Sequence, residues 1–188
     1  MEQKEKRKVR YTKMVLRDSL MELMKTSQIL SVSVKDICAV ADISRSTFYA
    51  HYKDQYDLLK QIEEETLGNF EDMLDKYKDK NSKKETTQML EEILAYVANN
   101  GNTIEVLLSE NGDIDFQKKL FYRFIRNNQV TKYFPKNQPD DETGTYYSVF
   151  LVHGFIGLIH HWLKNSKAMP VPQLAKIMIK WTEHQLKF

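Results

Sequence analysis

Arg45 is the side chain in this 188-residue sequence best suited to read a chemical pattern, because its planar guanidinium can bind both acceptors of a guanine edge at once. It stands in Ser44-Arg45-Ser46-Thr47-Phe48-Tyr49-Ala50-His51-Tyr52-Lys53, where one large apolar residue, Phe48, is set among polar ones. Ser46, Thr47 and Ala50 are smaller, and could read bases only at close approach or through a thymine methyl. Other reactive combinations fail on spacing. His153 and His160 would share a helix face, but two turns apart is about 10 Å, too far for one ion. Neither has a carboxylate at i+4, and His161 and His184 do not complete a set. No phosphate-cradling glycine loop, dinucleotide fingerprint or G-x-S-x-G elbow is present. Glu63-Glu64-Glu65 reads as a solvated helix face rather than an acid pair. No enzymatic activity, cofactor or metal is therefore expected.

The neighbouring residues set these side chains on short helices. Ser33-Val34-Lys35-Asp36 has the form of a capping box, in which the serine oxygen and the carboxylate three residues later each satisfy a backbone amide. Val34, Ile37, Cys38 and Ala41 follow at i, i+3, i+4 and i+7, which predicts a short helix with one small apolar face. Asp42 ends it, since aspartate tolerates the left-handed backbone of a sharp turn better than most residues. Ser44 can cap a second helix whose Phe48 turns inward. Together these predict a helix-turn-helix, and the polarity of its second helix points to double-stranded DNA as partner. Thr47 and Tyr49 could instead serve helix packing; Phe48 and Tyr52 read as core.

Residues 10–60 also resemble the DNA-binding domain of the TetR family of bacterial transcriptional regulators. The resemblance rests on Val34-x-Asp36-Ile37, Ile43-Ser44, Thr47-Phe48-Tyr49-x-His51-Tyr52 and Leu58-Leu59. The chain departs from the pattern at Asp42, where the family commonly has glycine, and at Gln55, where a lysine often meets phosphate. The resemblance implies that Lys35 reaches the groove alongside Arg45, Ser46 and Thr47, and that Tyr49, His51 and Lys53 hold phosphates. Lys13 and the run Lys6-Arg7-Lys8-Arg10 would add attraction that does not depend on base sequence, unless the run is a solvated tail.

The charge distribution fits this division of labour. Residues 1–53 hold 11 Lys and Arg against 6 Asp and Glu, and the remainder holds 17 against 20, so a net charge of +2 conceals a basic amino-terminal part. Hydrophobic residues make up 41% of the chain, enough for a packed core. The one cysteine, Cys38, falls on the expected buried face and reads as core. No secretory signal is evident, and the longest apolar stretch, 149–159, contains His153 and two glycines and is too short to span a bilayer. A cytoplasmic protein with no membrane partner is expected.

The whole chain reads as all-α: an N-terminal three-helix helix-turn-helix domain over 8–68 and a C-terminal helical ligand and dimerisation domain over 69–188. The first ten residues read as a charged arm, followed by a helix from Thr12 to Lys25 with Leu16, Leu20, Leu23 and Met24 inside. A long helix from Asp54 to about Lys78 carries Tyr56, Leu59, Ile62, Phe70, Met73 and Tyr77 at helical spacing. Ser82-x-x-Glu85 opens the next helix, to Asn99, and Asn99-Asn100-Gly101-Asn102 is turn chemistry. Helices over 103–110 and 113–129, a loop from Pro135 to Asp140, and helices over 142–165 and 172–187 complete the chain.

Helix 142–165 is apolar on more than one side, so it should be covered on both, by its own core and by a second copy of the chain. Gly154 and Gly157 would admit a close backbone, with Leu158, Trp162, Ile177 and Trp181 beside them in a homodimer. The family plan is similar, with the last two helices pairing with their symmetry mates. The segment from Gly154 to Leu163 further resembles regulators of dihydroxyacetone kinase genes. The family resemblance also implies a small-molecule effector pocket, for which Tyr96, Tyr122 and Tyr147 offer aromatic walls and Arg123, Arg126 and His153 polar anchors; core packing is the alternative for each aromatic. A protein partner in place of a small molecule remains open at this point.

Overall fold

A computed structural model of the chain describes residues 2–78, 82–126, 142–165 and 168–184. Among them nine α-helices and one 3-10 turn, Ile29–Ser31, are formed, with no strand. The helices are α1 (Glu2–Met24), α2 (Val34–Ala41), α3 (Arg45–Tyr49), α4 (Gln55–Asp75), α5 (Lys83–Asn99), α6 (Gly101–Leu108), α7 (Ile114–Arg126), α8 (Glu142–Lys164) and α9 (Val171–His184). The expected loop from Pro135 to Asp140 lies outside the described residues. The chain forms two compact units, one of residues 1–66 and 106–113, the other of 67–105 and 114–188, so the division falls inside α4.

The first unit is built on α1. Leu16, Leu20, Met21, Met24, Ile37, Phe48 and Leu58 are wholly buried, and α2 packs against both α1 and α3. The buried arc of α1 is wider than the expected stripe, taking in Thr12, Ser19 and Met21, while Leu23 is half-buried. The Ser19 hydroxyl donates to the Val15 carbonyl at 2.8 Å and Thr66 to Ile62 at 2.7 Å, so these two buried hydroxyls are satisfied within their own helices. The expected charged arm is a correction: α1 begins at Glu2, and its basic residues continue the helix without a break. Lys and Arg are good helix formers, and ten more residues extend a nucleus that the core already holds.

Residues 106–113 close the first unit with a tight turn. The Asn111 amide donates to the Lys25 carbonyl at 3.1 Å. A side chain at Gly112 would run into the backbone carbonyl of Leu107, so only glycine fits there.

In the second unit α9 packs on α5 and α7 on α8, around Leu94, Val97, Phe116 and Ala175. The expected second capping box is present: the Ser82 oxygen accepts from the Glu85 amide, and the Glu85 carboxylate accepts from the Ser82 amide at 3.0 Å. The turn at Asn99–Asn102 contracts to a break at Asn100, with α6 starting at Gly101. α4 stops at Asp75, three residues short of expectation, yet Tyr77 in the following turn is 4% exposed. Its hydroxyl donates to Glu92 at 2.7 Å; burial and that carboxylate push its pKa up to about 12. Lys76 closes on Glu92 at 2.7 Å and ties the end of α4 to α5.

Candidate nucleic-acid interface

Three short-range devices position α2 and α3. The Ser33 hydroxyl oxygen accepts from the Asp36 amide at 3.2 Å, and the Asp36 carboxylate accepts from the Ser33 amide at 3.1 Å. The same carboxylate accepts from the Ser33 hydroxyl at 2.5 Å, and these bonds hold its pKa below the ordinary 3.8. Asp42 then adopts φ 51° and ψ 44°, the left-handed conformation the turn needs, and is the one non-glycine residue with positive φ among those described. Ser44 caps α3 by accepting from the Thr47 amide at 3.2 Å.

Phe48 fixes the roll of α3. It is wholly buried, edge-on to Tyr49 at 5.6 Å and tilted against Tyr52 at 5.7 Å between centroids. With that residue inside, Arg45, Ser46, Tyr49 and Ala50 are exposed, as are Lys35 in the first turn of α2 and Lys53 beyond α3. Arg45 and Lys35 are therefore the long cations at the starts of the two helices. Thr47 and His51 are half-buried. The hydroxyls of Ser46 and Thr47 each lie 2.9 Å from the Ser44 oxygen, so both are engaged in the cap and have less reach outward than Arg45.

The approach to α4 carries its own anions. The Lys53 amide donates to Asp57 at 3.0 Å and the Asp57 amide to Asp54 at 2.8 Å, and the first of these holds the Asp57 carboxyl below its ordinary pKa. Lys13 on α1 sets its ammonium 5.8 Å from the centre of the Tyr52 ring, which places it beside the segment holding His51 and Lys53. Cys38 is buried, and burial pushes its thiol up, so it is a weak nucleophile on the packing face of α2.

Two expectations on α4 are corrected. Tyr56, expected inside, is 45% exposed, and Glu63, expected on the solvated face, is 5% exposed. Glu64 and Glu65 do face outward, Glu65 pairing with Arg17 at 2.8 Å and Glu64 with Lys60 at 3.8 Å. Tyr56 and Glu63 both lie in the part of α4 that belongs to the first unit; Glu63 stands four residues from Leu59 and from Leu67, both buried, and Tyr56 stands in the first turn.

In the second unit the candidate effector residues differ in exposure. Tyr96 is half-buried, its hydroxyl accepting from the Asn69 amide at 3.2 Å and its ring edge-on to Phe70 at 5.3 Å; Phe70 also meets Phe124 at 5.8 Å. Tyr122 is 56% exposed, and Arg123 is exposed and paired with Glu71. His153 is exposed and stacked on Phe121 at 4.3 Å. Tyr147 is half-buried, which pushes its hydroxyl pKa up, and the side chain of Arg126 lies outside the described residues. His160 suggested in sequence only a metal ligand. Its Nε2 is buried with no hydrogen-bond partner among the described residues, and burial lowers the imidazole pKa below 6.5.

The outer face of α8 is plain. Tyr146, Phe150, Gly154, Gly157 and His161, at spacings of four, four, three and four, are all exposed, the two rings by 65% and 59%. Among the described residues nothing would come within 4 Å of a Cβ at either glycine. On α9, Trp181 is 46% exposed and Ile177 half-buried, as is Leu158 on α8. Trp162 is a correction: it is 5% exposed and its indole donates to the Met169 carbonyl at 2.8 Å, so it belongs to the interior of the unit and not to its outer face.

Known proteins match this architecture. A family model, TetR_C_8, described as a transcriptional regulator C-terminal region, matches residues 84–184. No curated protein sequence matches the chain. Among solved structures, a TetR transcriptional regulator from Streptococcus agalactiae is 22% identical, with 97% of this chain and 99% of that one aligned at a TM-score of 0.64. The fatty acid regulator FadR from Bacillus subtilis, solved with stearoyl-CoA, is 15% identical over 92% and 98% at 0.67. The dihydroxyacetone kinase operon activator DhaS is 18% identical over 94% and 96% at 0.57. At these identities the likeness concerns the fold. Among the described residues no helix is long and apolar enough to cross a membrane, and no cluster of metal-ligating side chains occurs.

Proposed function

The chain belongs to the TetR family of transcriptional regulators, and from that premise we propose that it is a cytoplasmic, ligand-responsive repressor that binds a palindromic operator as a homodimer. Residues 8–68 read the DNA and residues 69–188 dimerise and respond. One observation carries the reading: with Phe48 buried and both helices capped, Arg45 and Lys35 are exposed together at the helix starts that enter a major groove. Arg45 takes a guanine edge, Lys35 a neighbouring base, and Ser46 and Thr47 close the surface. Tyr49, His51, Lys53 and Lys13 hold phosphates, which fix the register. A C2 pair through the outer face of α8, with Gly154 and Gly157 at its centre and Leu158, Ile177 and Trp181 around it, supplies two reading heads.

The exposure of Tyr122, Arg123 and His153 favours keeping a second reading, in which a protein partner rather than a small molecule biases the heads and the chain activates. The similarity to a protein described as an operon activator supports it. Operator binding measured with candidate metabolites and with the products of neighbouring genes separates the two. By linkage, whatever lowers or raises operator affinity must have its own affinity changed by operator in the same ratio.

A further inference from the structure

The basic run at the amino terminus looks, as sequence, like four interchangeable charges. Because α1 is helical from Glu2, they are not interchangeable. At 3.6 residues per turn, Lys6, Arg17 and Arg10 fall about 20°, 40° and 60° around the helix from Lys13, whereas Arg7 and Lys8 fall about 120° and 220° away. One face thus carries Lys6, Arg10, Lys13 and Arg17 in an unbroken row. Its lower end is fixed twice: Arg17 pairs with Glu65 at 2.8 Å, and the Lys13 ammonium lies 5.8 Å from the Tyr52 ring centre. Tyr52 sits between His51 and Lys53, so this face of α1 runs beside the segment that carries those two side chains. Arg10 and Lys6 are exposed one and two turns beyond Lys13.

We infer that this row is a rigid ridge that grips the phosphate backbone of double-stranded DNA flanking each half-site, extending the contact about 10 Å past Lys13. The inference rests on the proposed reading of DNA by α3. Two features commit it to a duplex: the row is cationic along its length, and it continues the helix face on which Lys13 lies beside the segment bearing His51 and Lys53. A helix holds its cations in place before binding, so little ordering entropy opposes the contact. Arg7 and Lys8, equally charged, lie off the row.

The test compares two double variants of the full chain with the same change in charge, Lys6→Gln with Arg10→Gln and Arg7→Gln with Lys8→Gln. Affinity is measured against salt for a duplex selected from a random pool and for an unrelated duplex of equal length. The first pair should flatten the dependence of log affinity on log salt by about 1.8 per protomer, at about 0.9 per lost phosphate contact, on both duplexes, with base preference unchanged. The second pair should move it by less than half as much. Helicity by circular dichroism should stay at the parent level in both. Equal effects from the two pairs, or none from the first, overturn the ridge even if α3 still discriminates the selected duplex. If the selected duplex binds no better than the unrelated one while the first pair alone flattens the slope, the ridge stands and the reading role of α3 falls. A parent chain without salt-dependent affinity for either duplex overturns both.

Discussion

Replacing Phe150 with glutamate should turn a dimer into a monomer while leaving the fold intact. Tyr146 and Phe150 are 65% and 59% exposed in the protomer. At roughly 200 Å² per aromatic side chain, each leaves about 120 Å² in water, and covering it contributes about 3 kcal/mol at about 25 cal/mol per Å². In a C2 pair each ring occurs twice, so four rings supply about 12 kcal/mol against association costs of about 4–15 kcal/mol. Phe150→Glu withdraws about 6 kcal/mol of this and sets two like charges at the seam. That would raise the dissociation constant by about four powers of ten, since about 1.4 kcal/mol is a factor of ten. Ile114→Glu is the control, for Ile114 is 65% exposed and stands at the start of α7, not on α8 or α9. Sedimentation velocity at micromolar concentration should show a dimer for the parent and Ile114→Glu, and a monomer with weakened operator binding for Phe150→Glu. A Phe150→Glu chain that still sediments as a dimer, or a monomeric parent, would refute the reasoning.

Other substitutions probe the scaffold that presents the reading surface. Asp42→Gly should be neutral or stabilise by up to about 1 kcal/mol, and Asp42→Val should cost about 1–2 kcal/mol, because only the latter opposes the left-handed backbone; equal denaturant midpoints for the two would contradict this. Gly112→Ala should lower the midpoint of the unit it closes, as its new methyl meets the Leu107 carbonyl; an unchanged midpoint would show that the turn relaxes freely. The Asp36 and Asp57 carboxyls have folded pKa values below the ordinary 3.8, so their capping contribution is present above about pH 4 and is lost as pH falls through the folded values. Asp36→Asn with Asp57→Asn should therefore be less stable than the parent at neutral pH and show a shallower loss of stability on acidification; parallel curves from pH 5 to 2 would sink the assignment.

The helix-turn-helix was legible because every rule that builds it is local. Ser33 with Asp36, Asp42 at the turn, Ser44 as cap and Phe48 as the lone large apolar residue each act within four residues. What the sequence withheld depends on distance. Trp162 is as apolar as an interface residue should be, and only the carbonyl of Met169 reveals that it is held inside. Tyr56 and Glu63 depart from their expected places because burial along α4 depends on what packs beside each turn, which helical spacing alone does not give. The start of α1 gave no capping signal, so its charged residues looked like an arm; helicity turned a run of cations into a row with a face. His160 shows its buried ring nitrogen only in three dimensions.

The central claim, that Arg45 reads a base from the first turn of α3, is tested most directly by selecting bound duplexes from a random pool with the parent chain and with Arg45→Ala. The parent should enrich a palindrome whose half-sites lie about one helical turn or a multiple apart, each with a strongly preferred guanine. Arg45→Ala should enrich the same palindrome with that guanine relaxed, and lose about 1–3 kcal/mol per half-site on the parent's sequence. A pool that shows no enrichment with the parent, or an identical motif and affinity for both chains, would contradict it.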